Sequence, residues 1–438
     1  MLLKLKNIGM LSEASVDLAE LTIIAGENDT GKSTVGKTIF AIVKALSRAE
    51  VDLDENKYEK IQRVIMSLYR HISLESRRDV EFPLDRRELY IRIKSLVSSE
   101  RYNEACKLVD DIFGHSLKGV ELRLVDNLKN IIVESSSRED IVRRALQKAL
   151  NSTFQDEICK KNAHDESSIE IIENNKVIFA ATILHNKVVR ILISDNIYFN
   201  DSTYIETPFV LDLSEQIRGS VTLFDIDNSN RINILGRGRT SLRYKDFIDK
   251  LSFEDNNEID LFRSQQSKIT SVEKVLNGKF IYNRQTREFL FSRDETSYKS
   301  TNVASGLKCF GILQMLYRND FLRSGSLLIL DEPEVHLHPK WQLLFAEGII
   351  DLISNGVNIL VNSHSPYMIE ALKRYAEKYN VKANYYLADK DSIVISDSSL
   401  ELIFKKLAEP YVTFDKMDSD SIRKKSSKSP GKAKKGDQ

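Results

Sequence analysis

The residues best placed to do chemistry form one short run, Gly26-Glu27-Asn28-Asp29-Thr30-Gly31-Lys32-Ser33, which follows the apolar stretch LTIIA and precedes a segment with helical spacing. A G-x-x-x-x-G-K-S pattern between a strand and a helix fits a phosphate cradle. Gly26 and Gly31 let backbone N–H groups turn inward, and Lys32 supplies a point charge for the β and γ phosphates. Ser33 offers an oxygen to Mg²⁺, and the helix N-terminus adds a favourable dipole. The candidate nucleotide contacts extend to Thr34. The cofactors expected from this run are therefore ATP and Mg²⁺.

A second constellation says what would be done with the nucleotide. Leu327-Leu328-Ile329-Leu330 is an apolar strand that ends in Asp331 and Glu332. Two carboxylates closing a buried strand are costly unless a cation or hydrogen bonds compensate. Asp331 can hold Mg²⁺ through water, and Glu332 can polarise a water that attacks the γ-phosphate. An ordinary Asp-Glu turn before Pro333 is the plainer alternative. Ser305-Gly306, within ASGLK at a helix start, can bind a γ-phosphate through free N–H groups or can simply cap the helix. His364, within NSHSP after the strand NILV, can donate a hydrogen bond to the γ-phosphate from a strand end. His336 and His338 have the look of a metal pair, but no third ligand stands nearby in the sequence.

These residues need a scaffold, and the patterning supplies one. Residues 2 to 8 and 14 to 18 alternate as half-exposed strands, with LTIIA as a buried strand after them. VGKTIFAIVKALSRAE reads as the helix after the cradle. From about Glu55 to Lys161, five stretches place apolar residues at helical spacing, which predicts an inserted helical subdomain. Residues 168 to 240 read mostly as strand, including TYIETPFVLDL, and FIYN and EFLF form a further strand pair. From Asn302 to about Leu387, helices and strands alternate as in a parallel sheet covered by helices. The expected organisation is a head in parts, 1–50, 166–298 and 299–415, with the helical insertion at 51–165 and a basic disordered tail at 416–438.

Composition bounds the function. The 438 residues carry 64 basic and 64 acidic side chains, so any nucleic-acid contact must come from a local patch. The tail holds Arg423, Lys424, Lys425, Lys428, Lys432, Lys434 and Lys435 and is such a patch or simply solvated. Cys106, Cys159 and Cys309 lie far apart, which argues against a disulfide framework or a zinc cluster. No signal peptide and no run of 18 apolar residues is visible, so the expected location is cytoplasmic, with no membrane partner.

The order GENDTGKS, ASGLK, LLILDEPEVHLHP, NSHSP resembles the head of ABC-type ATPases, in the group near the OLD, RecF and SMC families. The resemblance covers about residues 1 to 40 and 300 to 390. It implies an α/β ABC-ATPase head: a P-loop sheet with flanking helices and an antiparallel β part, here with the helical insertion. It further implies that Ser305 and Gly306 act in trans on ATP held by Lys32 of a second copy. The segment Glu334 to Pro339 would then line the contact of a homodimer or higher homo-oligomer. The chain departs from transporter ATPases in the 271 residues between Ser33 and Ser305. No Q-loop can be placed, and Gln216 and Gln62 are poor candidates. OLD-type proteins carry a TOPRIM nuclease after the histidine motif. Here Asp389-Lys390-Asp391 reads better as a hairpin turn between NYYLA and SIVIS.

The whole pattern, a GENDTGKST cradle, a moderate helical insertion, the stretch YIETPFVLDL and LAEPY near the end, is similar to ATPase subunits of prokaryotic antiphage systems, of the PtuA kind in Septu and retron-associated systems and the AriA kind in PARIS. That resemblance implies a slow ATPase acting as sensor or scaffold for a separately encoded nuclease or toxin, of HNH or TOPRIM type. The alternative is a DNA-repair or chromosome-maintenance ATPase of the SMC/RecF-like type that clamps DNA.

Overall fold

The chain begins with two strands, β1 (Leu2–Ile8) and β2 (Leu11–Asp17), that pair as an antiparallel hairpin in the computed structural model. The structure describes residues 1–75, 83–113, 119–134, 137–163, 165–220, 222, 238–253, 269–394, 401–406, 412–417 and 419. The basic tail residues from Arg423 onward lie outside the described residues. Strand β3 (Leu21–Ala25) is buried at every position and leads into helix α1 (Lys32–Glu75). Helices α2 (Arg86–Ser98), α3 (Tyr102–Phe113), α4 (Val120–Val133) and α5 (Arg138–Phe154) follow. Then come β4 (Ser167–Glu173), β5 (Lys176–Leu184), β6 (Lys187–Ile193) and β7 (Asp201–Ile205), and the short helices α6 (Ser214–Gly219), α7 (Leu242–Ser252) and α8 (Thr270–Leu276). Strands β8 (Lys279–Asn283), β9 (Glu288–Arg293) and β10 (Thr296–Lys299) precede α9 (Ser305–Arg318) and β11 (Ser326–Asp331). Next come α10 (Pro339–Ser354), β12 (Asn358–Ser363), α11 (Pro366–Tyr379), β13 (Ala383–Asp389) and β14 (Ser392–Val394), with helical residues at 401–406 and 412–417 after them.

Eleven strands make one sheet in the order β6-β5-β4-β1-β2-β14-β13-β3-β12-β11-β7. From β13 to β7 neighbouring strands are parallel, and from β6 to β2 they are antiparallel. The fold is therefore α/β, with a P-loop sheet, flanking helices and an antiparallel part. A separate antiparallel sheet, β10-β9-β8, lies beside it. Apolar runs at β3, β11 and β12 become central parallel strands because both faces of such strands are covered by helices. The period-two alternation shows how. Ile24, Leu327, Ile329 and Leu360 point into one core with α1 and α5. Ile23, Leu328, Leu330, Ile359 and Val361 point into the other, with α9, α10 and α11.

Helix α1 joins two cores. Its first half, with Val35, Ile39, Phe40 and Val43, packs on the sheet. Its far half, with Ile61, Ile65, Leu68 and Ile72, packs against Leu89, Ile93, Val109, Leu128 and Ile132 of α2, α3 and α4. At about 1.5 Å per residue, its 44 residues span roughly 66 Å. The sequence pattern suggests two helices here, but no glycine or proline interrupts residues 37 to 75, so the backbone continues as one.

One further expectation is corrected and another is extended. TYIETPFVLDL is not a single strand: β7 ends at Ile205, and Pro208–Leu211 is a 3-10 turn capped by Thr207, whose Oγ1 accepts from Phe209 N at 3.3 Å. Pro208 has no N–H for a ladder and ends the strand. FIYN and EFLF pair as expected, but β10 adds a third strand. The Asp389-Lys390-Asp391 segment is the turn of the β13–β14 hairpin, with Lys390 at φ 52°. Among the described residues, no helix is long and apolar enough to cross a membrane.

Candidate functional site

The cradle is the loop from β3 to α1. It reverses through Asp29 at φ 69° and Gly31 at φ 81°. A Cβ on Gly31 would also stand 2.5 Å from Leu11 Cδ2, so this position admits only glycine on two grounds. Thr30 Oγ1 donates to Glu27 O at 2.8 Å, and Thr34 N donates to Gly31 O at 3.0 Å, which fixes the loop on the helix start. Lys32 is buried, and its Nζ donates to Gly26 O at 2.9 Å and Glu27 O at 2.6 Å. Burial pushes the Lys32 ammonium below its ordinary value, against the pull of Glu332, Asp331, Glu334 and Glu27.

Strand order brings the second constellation to the first. At the carboxyl ends of the parallel strands, Asp331 of β11 is in register with Asn362 of β12. Such strand ends are where open α/β sheets bind ligands. Ser33 Oγ donates to Asp331 Oδ1 at 3.0 Å, Asn362 Nδ2 donates to the same oxygen at 2.9 Å, and Tyr204 OH donates to Oδ2 at 2.5 Å. Burial and the neighbouring Asp331 hold the Tyr204 phenol well above its usual value.

Glu332 follows at φ 51°, a left-handed conformation that is rare for a residue with a side chain. Its N–H is fixed to Asn362 O at 2.9 Å. Its Oε1 lies 3.9 Å from Lys32 Nζ and 3.4 Å from His364 Nδ1. Strained backbone of this kind costs about 1–3 kcal/mol and persists where surrounding contacts enforce it.

His364 is positioned by a residue that sequence reasoning missed. Glu334 is buried, and its Oε1 accepts from Ser363 Oγ at 2.7 Å, His364 N at 2.8 Å and Ser365 N at 3.1 Å. One carboxylate therefore shapes the whole NSHS turn. Tyr204, Asn362 and Glu334 all lie in stretches quoted from the sequence. Their roles depend on register across the sheet, for which the sequence carries no direct signal.

A cleft of about 860 Å³ opens over Asn28, Asp29, Thr30, Gly31, Lys32, Ser33 and Thr34, with Glu332 at its edge. Its other walls come from Gly9 and Met10 of the β1–β2 turn, from Phe154 to Lys161 after α5, and from Lys37 and Arg243. The size suits a nucleotide. Gly26 and Glu27, expected among the nucleotide contacts, do not line it; their carbonyls accept from Lys32 instead.

Ser305 and Gly306, in contrast, do not line the cleft of their own chain. Ser305 opens α9, and a Cβ on Gly306 would stand 2.8 Å from Trp341 Cζ3 and 3.2 Å from His336 O. The helix start thus abuts the turn after β11. His336 stacks edge-on with Phe209 at 5.0 Å, and His338 Nδ1 accepts from Lys340 N at 3.3 Å to cap α10. Gln216 and Gln62 do not line the cleft.

The donor set fits a hard divalent cation: a hydroxyl and a carboxylate oxygen 3.0 Å apart, with a second carboxylate on the next residue. Ser33 and Asp331 are the residues that would hold Mg²⁺.

A family model described as an AAA ATPase domain matches residues 1–369. No curated protein matches the chain in sequence. Among solved structures, the SMC head domain from Thermotoga maritima is 11% identical, with 90% of this chain and 98% of that chain covered and a TM-score of 0.36. An Smc head domain with an extended coiled coil, derived from Pyrococcus furiosus, is 12% identical, with 94% and 98% covered and a TM-score of 0.36. The ADP conformation of an ATP-binding cassette of an ABC transporter is 11% identical, with 94% and 98% covered and a TM-score of 0.34. At such scores these likenesses carry no further weight, and the family rests on the sequence match. That match spans the cradle, the β11 carboxylates and His364, and the chain belongs to the AAA ATPase domain family.

Proposed function

We propose that this chain is an ABC-type ATPase that binds ATP with Mg²⁺ in the β3–α1 cradle and hydrolyses it slowly. We further propose that it serves a prokaryotic antiphage complex as the sensor or scaffold for a separate nuclease or toxin. The observation that supports the chemistry best is the meeting of Ser33 and Asp331 at 3.0 Å beside the strained Glu332. Lys32 and the N–H groups of the cradle bind the phosphate chain. Bound Mg²⁺, held by Ser33 and Asp331, would neutralise charge on the phosphates. Asn362 and Tyr204 orient Asp331 by donating to both of its oxygens. Glu332 accepts a proton from the attacking water, and His364, fixed by Glu334, faces the same point.

Ser305 and Gly306 stand away from their own cleft, which suits a role in trans, capping the nucleotide of a second copy. The turn Pro333–His336 would then lie at the dimer contact, where Val335 is exposed. In this reading residues 51–165 form a helical insertion on the head, and the protein works in the cytoplasm. The antiphage role rests on the resemblance of the whole-chain pattern alone.

Co-expression with neighbouring open reading frames, followed by purification with and without ATP, tests that role. A nuclease or toxin held in fixed stoichiometry supports it. A lone dimer whose ATPase rises with duplex DNA, with salt-sensitive binding, supports the DNA-clamping alternative and contradicts it.

A further inference from the structure

Arg243, at the start of α7, stands in the wall of the cradle cleft with donors to spare. Its Nη2 lies 3.2 Å from Glu206 Oε2, and its guanidinium stacks 5.4 Å over Tyr204 and 4.9 Å over Tyr244. Its side chain is 11% exposed, and Nε and Nη1 are buried with no acceptor among the described residues. A guanidinium cannot shed its proton to escape this, and each buried donor without a partner is costly.

The neighbourhood sharpens the need for an anion. Lys37, one turn past Ser33 on α1, lines the same cleft. Among the described residues no hydrogen bond or ion pair holds its ammonium. Burial and then Arg243 push Lys37 below its ordinary value, so the two cations repel each other. Thr153, whose Oγ1 is also buried and has no partner among the described residues, lines the cleft as well. Glu206, which with Asp331 pulls Lys37 back up, carries one charge against two cations and also accepts from Tyr244 OH at 2.5 Å.

The position selects which anion. Tyr204, beneath the guanidinium, donates to Asp331, so Arg243 lies on the β11 side of the cleft with Ser33 and Glu332. Guanidinium N–H groups suit phosphate oxygens. We propose that Arg243 binds the terminal phosphate of the nucleotide within its own chain, with Glu206 and Tyr204 as positioning residues. This inference rests on the nucleotide-binding reading of the cradle.

The test compares affinities for fluorescent ATP and ADP in the full-length wild type, K32A, R243Q and R243K, with thermal melting as the check on folding. Losing a charge-assisted contact to the terminal phosphate weakens ATP binding about 10- to 100-fold in R243Q, while ADP binding stays within about threefold. R243K, which keeps the charge and the stem, binds ATP more weakly than wild type and ADP equally. Wild-type ATP affinity in folded R243Q overturns the proposal, as does an equal loss for ATP and ADP. Should R243Q not fold, wild-type ATP affinity in R243K overturns it. Equal ATP binding by wild type and K32A would instead defeat the cradle reading, whereas loss in K32A alone defeats only the assignment of Arg243.

Discussion

Asp331 is a buried carboxylate that accepts three hydrogen bonds from three separate elements, α1, β12 and β7. Such a group is ordered before any ligand arrives, which is what a metal-binding oxygen requires. The same logic applies to Glu334. Replacing it by alanine leaves two backbone N–H groups and the Ser363 hydroxyl without their acceptor. E334A is expected to lower stability by about 2–4 kcal/mol, read from urea unfolding, and to slow hydrolysis by freeing His364. Unchanged stability would show that the turn holds itself. N362D places a carboxylate where an amide now donates at 2.9 Å. It should weaken magnesium-dependent ATP binding by tenfold or so, measured by titration calorimetry. The cradle, Asp331, Glu332 and His364 stand out in the sequence by residue type and spacing, and the sheet brings them to one place. Tyr204, Asn362 and Glu334 were not, because a tyrosine or asparagine acquires a role only once strand register sets it beside Asp331.

At the scale of elements, the site depends on how closely α1 lies on β11. A Cβ on Gly36 would stand 2.9 Å from Ile329 Cγ2 and 3.2 Å from Tyr204 Cε2. The absence of a side chain there lets the helix that carries Ser33 approach the strand that carries Asp331. G36A should cost about 1–3 kcal/mol in unfolding free energy and weaken nucleotide binding, since overpacking shifts the helix. A stability equal to wild type would mean that the helix moves freely on the sheet. Edge strand β7 is protected by α7, whose Lys250 Nζ donates to Ser202 O at 2.8 Å and Thr203 Oγ1 at 2.7 Å. The central strands were readable as apolar runs, and the β13–β14 hairpin as two strands around Asp389 and Asp391. The end of β7 was misread because alternation persists past Pro208, where the ladder cannot. The continuity of α1 was missed because its apolar face changes partner midway, from the sheet to the helical cluster.

Across the whole molecule, the buried Tyr204 phenol and the half-buried Tyr385 phenol and Cys309 thiol tie stability to alkaline pH. Burial pushes the Tyr385 phenol and the Cys309 thiol up to about 12, from ordinary values of 10.0 and 9.0, and Tyr204 is raised further by Asp331. The native state keeps protons that the unfolded chain releases. This contribution is full below the ordinary values and is lost as pH rises toward 12. The urea midpoint should therefore fall between pH 9 and pH 12, and Y204F should soften the fall; a flat midpoint would contradict the burial of these groups. The proposed dimer has its own signature at this scale. If Ser305 and Gly306 cap the nucleotide of a second copy and Glu332 drives hydrolysis, E332Q should elute as a dimer with ATP and as a monomer without it. The arrangement of parallel and antiparallel strands in one sheet was only partly legible. Sequence patterns reveal strands but not their order, and β14 joins the two halves from the far end of the chain.

In the proposed function, Lys32 and Glu332 divide binding from hydrolysis at a single site. The most direct test of this division is a single-turnover measurement of bound ATP and released phosphate in wild type, K32A and E332Q. Wild type is expected to bind one ATP per chain and hydrolyse it, K32A to bind none, and E332Q to retain one ATP uncleaved. Wild-type phosphate release in E332Q, or wild-type ATP binding in K32A, would contradict it.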